Sequence, residues 1–401
     1  MDPFELNLRH LRALGAIIRL RSMRAAADEV GMSQPALTQG LAKLEQRLGV
    51  VLFDRRSDGV EPTEAGRIVA GRAASAFAHL AKAAKGDMRT SARGFSHPEW
   101  LMTGTQLRAF LAVADHGGFA GAARATGMAP PSLHRAVRDL EQIGRMSLLE
   151  NHGRGVQLSP AGRRLARGVR LAASEIAAAI AEAAGDDGGL DGGIVLGAMP
   201  LARARVLPAA IATFLNGTPR CDIRIVEGSW RELVEPLHDG IIDFMIGALR
   251  DELPADLEQR PLFEDGLVVV GRAAHPLAGR TPTIADLRRF EWVLPSAGTP
   301  LRAQWTALFE GGDPPATPVE CGSIMVIRGI LAGTDLLTLL SPDQVSVETE
   351  AGLLTQIGQP IARGVRAIGV TSRRGWRPRA IQRRFLDALD RAAQSTIREN
   401  L

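Results

Sequence analysis

The chain repeats itself at a fixed offset of 96 residues, and no other feature limits its fold so strongly. Residues 11–70 laid on residues 107–166 agree at 20 of 60 positions without a gap. The shared positions include Gly31/Gly127, Met32/Met128, Pro35/Pro131, Leu44–Glu45–Gln46/Leu140–Glu141–Gln142, Gly59–Val60/Gly155–Val156 and Ala65–Gly66–Arg67/Ala161–Gly162–Arg163. Such a repeat means that one supersecondary unit is built twice, so both copies must be read with one element pattern. The 401 residues, 45% of them apolar, suffice for several domains with cores of their own.

In copy 1, Leu11, Leu14, Ile17 and Ile18 recur at helical spacing. Ser22 is placed to cap a second helix, Met23 to Val30, rich in alanine where two helices must approach closely. Gly31 suits the left-handed backbone that ends it, and Ser33 the cap of a third helix from about Gln34 to Leu48. Leu37, Leu41, Leu44 and Leu48 form the apolar stripe of that third helix, and Gln34, Thr38, Gln39 and Lys43 its exposed face. Residues 53–60 read as two short strands around a turn, carrying Arg55 and Arg56, and residues 63–86 as a long alanine-rich helix. The pattern is that of a winged helix-turn-helix, whose third helix reads the major groove. Gln can pair bidentately with adenine, Thr can bond a base or touch a thymine methyl, and Lys43 can meet a phosphate. One such helix alone is as readily an ordinary surface helix; duplication and a wing favour the reader.

Charge supports a polyanion-binding front. Residues 1–170 carry 25 Lys+Arg against 15 Asp+Glu, and residues 171–401 carry 23 against 29. A solvated basic face is the plainer account of the same numbers. Met1–Leu20 mixes Asp2, Glu5, Arg9, Arg12 and Arg19 into its apolar residues, so no signal peptide is read there, and no window approaches a transmembrane span. The expected location is the cytoplasm. Cys221 and Cys321 stand alone, which excludes a disulfide framework and predicts two small buried residues.

Residues 25–48 (AAADEVGMSQPALTQGLAKLEQRL), the wing 50–60 (VVLFDRRSDGV) and Thr63–Glu64–Ala65–Gly66 resemble the LysR-type transcriptional regulators. The resemblance implies that Gln34, Thr38 and Gln39 face base edges, that Ser33 and Arg55 approach phosphates, and that the linker helix dimerises. Pro35 and Arg56 complete the candidate DNA contacts in copy 1. Copy 2 keeps the framework but has Pro130 for Gln34, His134 for Thr38, Arg135 for Gln39, Asn151 for Arg55 and Arg145 for Gly49. Arg135, Arg138, Arg145 and Arg154 remain to meet phosphates. Copy 2 could read a second half-site, hold DNA without sequence preference, or serve only in dimerisation. Most members of the family have one such domain, so the usual two heads per dimer do not transfer directly.

The expected plan is multidomain: copy 1 (1–62), a linker helix (63–88), a linker (89–102), copy 2 (103–158), a second linker helix (159–184), a Gly/Asp-rich hinge (185–193) and an α/β domain (194–401). In that last domain strands at 194–197, 223–226 and 244–246 alternate with helices at 201–215 and 229–239, which predicts mostly parallel strands. Leu262–Val270 and His275–Ala278 again resemble the family's effector domain, a two-lobed relative of periplasmic solute-binding proteins. Lobe I is expected at 194–264 plus 357–401 and lobe II at 265–356, with ligand between them at the strand ends. The segments reaching that cleft contain Met199 and Pro200, Ser229, and a helix start with Ser296, Thr299 and Arg302. Free amides there, two hydroxyls and an arginine suit a carboxylate; a simple cap and a surface arginine would give the same residues. Trp292–Pro295 and Leu339–Pro342 resemble the branch with regulators of protocatechuate and sugar catabolism, which implies an organic-acid effector, aromatic or sugar-derived.

His152, His238 and His275 lack partners at ligand spacing, and no nucleophile elbow, P-loop or dinucleotide fingerprint appears in a supporting context. An enzyme is therefore not expected, and no cofactor or metal is assigned. The expected partners are double-stranded promoter DNA, a small-molecule effector, RNA polymerase and further copies of the chain as homodimer or homotetramer, with no membrane. Two rivals stay open: a solute-binding carrier, which the C-terminal half alone would fit, and a winged-helix scaffold that has lost DNA binding.

Overall fold

The computed structural model describes residues 1–56, 59–85, 96–153, 155–183, 192–218, 221–361 and 364–399. Residues 185–191 of the expected hinge, 89–95 of the expected linker, Arg154, and the side chains of Arg55 and Arg56 lie outside the described part.

Copy 1 folds as α1 (Leu8–Leu20), α2 (Met23–Val30), α3 (Gln34–Leu48), the hairpin β1 (Phe53–Arg56) and β2 (Gly59–Pro62), and the long α4 (Glu64–Ala84). Ser22, Ser33 and Thr63 cap α2, α3 and α4 by accepting a backbone N–H, and Gly31 ends α2 at φ 68°. A short 3-10 turn, Pro98–Trp100, leads into copy 2: α5 (Gly104–Asp115), α6 (Phe119–Thr126), α7 (Pro130–Gly144), the hairpin β3 (Leu149–His152) and β4 (Gly155–Leu158), and α8 (Pro160–Ala183). The identities between copies are framework positions. Glu45 accepts the Leu52 N–H at 2.7 Å and Glu141 the Leu148 N–H at 2.8 Å. Arg67 donates to the Pro62 carbonyl and Arg163 to the Leu158 carbonyl.

Both units share one core. Leu11, Leu14, Ile17, Leu37 and Leu44 of copy 1 are continuous with Leu107, Phe110, Leu133 and Leu140 of copy 2 through the apolar faces of α4 and α8. Burying many such side chains, each contributing about 1.5–3 kcal/mol, fixes the two units against each other.

The C-terminal domain begins with β5 (Gly192–Ala198), so Gly192 and Gly193, expected in the hinge, are strand residues. Then follow a 3-10 turn (Pro200–Arg203), α9 (Val206–Gly217), β6 (Cys221–Glu227), α10 (Trp230–His238), β7 (Phe244–Ala248), β8 (Leu257–Asp265) and β9 (Val268–Arg272). After these come α11 (Ile284–Leu287), β10 (Val293–Leu294), α12 (Pro300–Leu308), β11 (Val319–Glu320), α13 (Ile324–Gly333), β12 (Thr338–Leu340), α14 (Ser346–Glu350), β13 (Leu354–Ile357), β14 (Arg366–Arg373) and α15 (Ala380–Glu399). Lobe I is a sheet in the order β6-β5-β7-β14-β8 and lobe II a sheet in the order β12-β9-β13 beside the pair β10-β11.

The expectation of mostly parallel strands needs correction. Pairs β5/β6, β5/β7 and β10/β11 are parallel, but β14 runs antiparallel to β7 and β8, and β12 and β13 antiparallel to β9. The cause is the double crossing between lobes: the returning strand β14 enters between β7 and β8 from the far side. The crossings fall at 266–267 and after Ile357, which pairs with Val269 in lobe II. Cys221 is buried as expected, whereas Cys321 is half-exposed.

Candidate nucleic-acid interface and effector cleft

The amphipathic sequence of α3 turns its leucines inward and leaves Ser33, Gln34, Pro35, Gln39 and Lys43 exposed, with Thr38 half-buried beside them. Ser33 Oγ accepts the Ala36 N–H at 3.3 Å, which fixes the first turn. Gly40 lies on the inner side because the His10 ring fills its space: a Cβ there would stand 2.4 Å from Nε2. Burial and nearby Lys43 hold His10 below its ordinary pKa, so the ring is neutral where α1 supports α3.

Copy 2 presents different chemistry on the same scaffold. Ala129 gives α7 no side-chain cap, and Pro130 and Pro131 occupy positions whose N–H groups need no partner. His134 stacks on Phe119 with centroids 3.6 Å apart, while Arg135 and Arg138 are exposed. Arg145 ends α7 at φ 47°, the left-handed conformation that copy 1 gives to Gly49.

In the C-terminal domain, Ser296, Thr299 and Arg302 meet at the start of α12. Thr299 donates to the Ser296 carbonyl at 2.9 Å and accepts the Arg302 N–H at 3.4 Å. The Arg302 guanidinium bonds Thr317 at 3.3 Å and lies 4.9 Å over the Trp305 ring. Pro200 is exposed, but the Met199 side chain is buried among Leu233, Leu237 and Met245. Ser229 donates its hydroxyl and N–H to Glu232 within a capping box, which holds that carboxyl below its usual range.

Several residues at the junctions were not singled out from the sequence. Arg205 of lobe I approaches Asp343 of lobe II at 3.7 Å, beside a cavity of about 300 Å³ also lined by Val268, Ser346 and Gln356. Buried Asp265 accepts the Ser341 hydroxyl at 2.6 Å and lies 3.6 Å from Arg366. Desolvation raises the Asp265 carboxyl and lowers the Arg366 guanidinium from their ordinary values. His238 pairs with Asp256 at 2.9 Å, a carboxylate distant in sequence.

A second cluster joins the front to the C-terminal domain. Arg72 of α4, 5% exposed, bonds Glu182 and Glu175 of α8 and donates to the Arg377 carbonyl at 3.0 Å. Burial opposes the Arg72 charge, but the two carboxylates outweigh it and the pKa is raised. Arg377 reaches Ser75 at 2.8 Å, and Arg167 of α8 pairs with Glu235 of α10 and with Asp239 just after it. No local pattern marks this cluster in the sequence, because Arg72 meets carboxylates 103 and 110 residues away.

A polar helix face presented by a three-helix unit with a hairpin, joined through long helices to a two-lobed α/β domain with a cleft, defines a ligand-responsive DNA-binding regulator. The family model for the bacterial regulatory helix-turn-helix protein, lysR family, matches residues 8–67 and 105–163, and that for the LysR substrate binding domain matches residues 187–394. The chain is 30% identical over 372 residues to the HTH-type transcriptional regulator GalR of Pseudomonas putida, covering 92% of this chain and 93% of that protein. It is 33% identical over 281 residues to an SDS degradation transcriptional activation protein of a Pseudomonas species, covering 67% of this chain and 90% of that one. Solved structures of ArgP from Mycobacterium tuberculosis (TM-score 0.59, 15% identity, 72% of this chain and 96% of that chain) and of a full-length OxyR variant from Pseudomonas aeruginosa (0.58, 23%, 73% and 95%) share the fold. The chain belongs to the LysR family of DNA-binding transcriptional regulators with an effector-binding domain. Its relatives are regulators rather than enzymes. Among the described residues no group of three or more His, Cys, Asp or Glu could hold a metal ion, and no helix is long and apolar enough to cross a membrane.

Proposed function

We propose that the chain is a sequence-specific regulator with two tandem winged helix-turn-helix units, copy 1 as its base reader and the α/β domain as sensor of a small carboxylate. The observation that carries the reading is the exposed polar face of α3, with Gln34 and Gln39 outward and its leucines buried. Gln34→Ala should cost about 1–3 kcal/mol at the selected operator and relax preference at one base pair, whereas Arg55→Ala should weaken all sequences alike. Binding isotherms on operator and scrambled DNA test it; unchanged affinity and selectivity for Gln34→Ala sink the assignment.

The carboxylate reading rests on the α12 start, where Thr299 bonds the Ser296 carbonyl and the Arg302 N–H and the Arg302 guanidinium lies beside Thr317. The effector is an organic acid, aromatic or sugar-derived, and Arg302→Ala should abolish the response while basal DNA binding persists. A response retained at the same effector concentration would place the ligand elsewhere, with the Arg205–Asp343 cavity the next site to alter. Assembly into a homodimer or homotetramer, contact with RNA polymerase and a cytoplasmic location complete the proposal.

A further inference from the structure

The two units meet in contacts that repeat when the copies are exchanged. Arg72 and Gly168 are equivalent at the offset of 96, and so are His79 and Glu175. Arg72 bonds Glu175, and a Cβ on Gly168 would stand 2.9 Å from the His79 carbonyl and 2.4 Å from the Ala83 Cβ. The start of each helix therefore lies against the later part of the other, and α4 and α8 run antiparallel. At the ends of the units the exchange holds between elements, through different residues on the two sides. Arg12 of α1 stacks over Trp100, 4.6 Å from its centroid, in the turn that precedes copy 2. Its equivalent Arg108 of α5 pairs at 3.2 Å with Asp2, beside the 3-10 turn Pro3–Glu5 that precedes α1. An interface in which i meets j and j meets i is isologous, the signature of a two-fold axis.

That axis lies inside one polypeptide. The apolar faces that pair, Val69, Ala73, Ala76 and Leu80 of α4 with Leu165, Val169, Ala172 and Ile176 of α8, are buried within the single chain. No second copy is needed to cover them.

We propose that one chain is a complete two-headed DNA reader, α3 and α7 entering successive major-groove segments of one duplex in inverted orientation. A protein two-fold is matched by the dyad of the duplex, which sets the two half-sites against each other about one helical turn apart. The half-sites are unequal. The α3 half is read at base edges through Gln34 and Gln39, and the α7 half is held through phosphates by Arg135 and Arg138, because His134 is spent on Phe119. This inference rests on the reading of both units as DNA-binding, and adds that they act in cis.

The test uses the full chain in two measurements. In a background of Cys221→Ala and Cys321→Ser, Asp2→Cys with Arg108→Cys is treated with a short bismaleimide and run on a denaturing gel. A cross-linked product of single-chain mass is expected; a product of doubled mass means that the units pair between chains and overturns the inference. The second measurement footprints the chain on a duplex that it selects from a random-sequence pool. Wild type should protect two adjacent halves, and titration of a duplex of about 25 base pairs should saturate at one chain per duplex. Gln34→Ala should keep both halves protected but relax preference at one base pair of the first, and Arg135→Ala with Arg138→Ala should lose protection over the second, with the salt slope flattened by about two. Protection of one half only, or saturation at two chains, overturns the two-headed reading but leaves a DNA-binding regulator intact. Absence of any DNA binding overturns both, even where the cross-link is intrachain.

Discussion

Gly66 shows at the residue scale how closely the hairpin and linker helix are fitted. A Cβ on Gly66 would stand 2.0 Å from the Leu52 carbonyl oxygen, and one on Gly162 would stand 2.1 Å from that of Leu148. The contacting atoms are backbone and cannot turn aside. Gly66→Ala should therefore destabilise the protein by about 1–3 kcal/mol, seen as a lowered melting temperature. Gly15 is the control, because it lies exposed inside α1 with nothing within 4 Å of an added Cβ. Gly15→Ala should stabilise by about 0.5–1 kcal/mol through helix propensity alone. Equal melting temperatures for the two variants would contradict the close approach.

At the scale of elements, the pairing of α4 with α8 gathers the charges that matter. Arg72→Ala leaves Glu175 and Glu182, 13% and 16% exposed at their side chains, without their main partner. Losing one member of a buried ionic cluster costs about 3–5 kcal/mol, so chemical denaturation should show a fall of that size; a change within experimental error would mean that solvent already screens the cluster. His79, on the same face, is held below its ordinary pKa of 6.5 chiefly by burial, with Arg373 and Lys82 adding to the effect against Glu175. A depressed folded-state pKa contributes stability above the unfolded value, and that stability is lost as pH falls through the folded one. Melting temperature should thus drop on acidification below about 6.5, and less so in His79→Gln. An identical pH profile in the variant would remove His79 from the account.

At the scale of the whole molecule, arginines on both sides of the junction join the front to the sensor among the described residues. Arg377 bonds Ser75 and Glu175, and Arg167 bonds Glu235 and Asp239. Half-exposed pairs of this kind weaken with salt, since the screening length shrinks to about 3 Å at 1 M. Calorimetry should show unfolding of the two parts drawing apart as salt rises, and already apart at low salt in Arg167→Ala with Arg377→Ala. One unsplit transition in the variant would mean that other contacts hold the parts together.

The repeat, the helix caps, the leucine stripe of α3 and the alternation that follows Gly192 are local patterns, and local patterns are what a sequence spells out. Ser33 bonds an amide three residues away and Gly31 answers only to its own backbone. The candidate contacts on α3 were legible for that reason, because a helix shows one face whenever the other is apolar. What the sequence alone did not decide depends on distant residues meeting. The burial of Met199, the strand β14 returning antiparallel from lobe II, the Asp265–Arg366 pair and the Arg72–Glu182–Arg377 cluster each join positions that no spacing relates. The duplication announced two units, but only their packing decided that they face each other across an axis within one chain: two apolar helix faces in one polypeptide are buried at least entropic cost against one another.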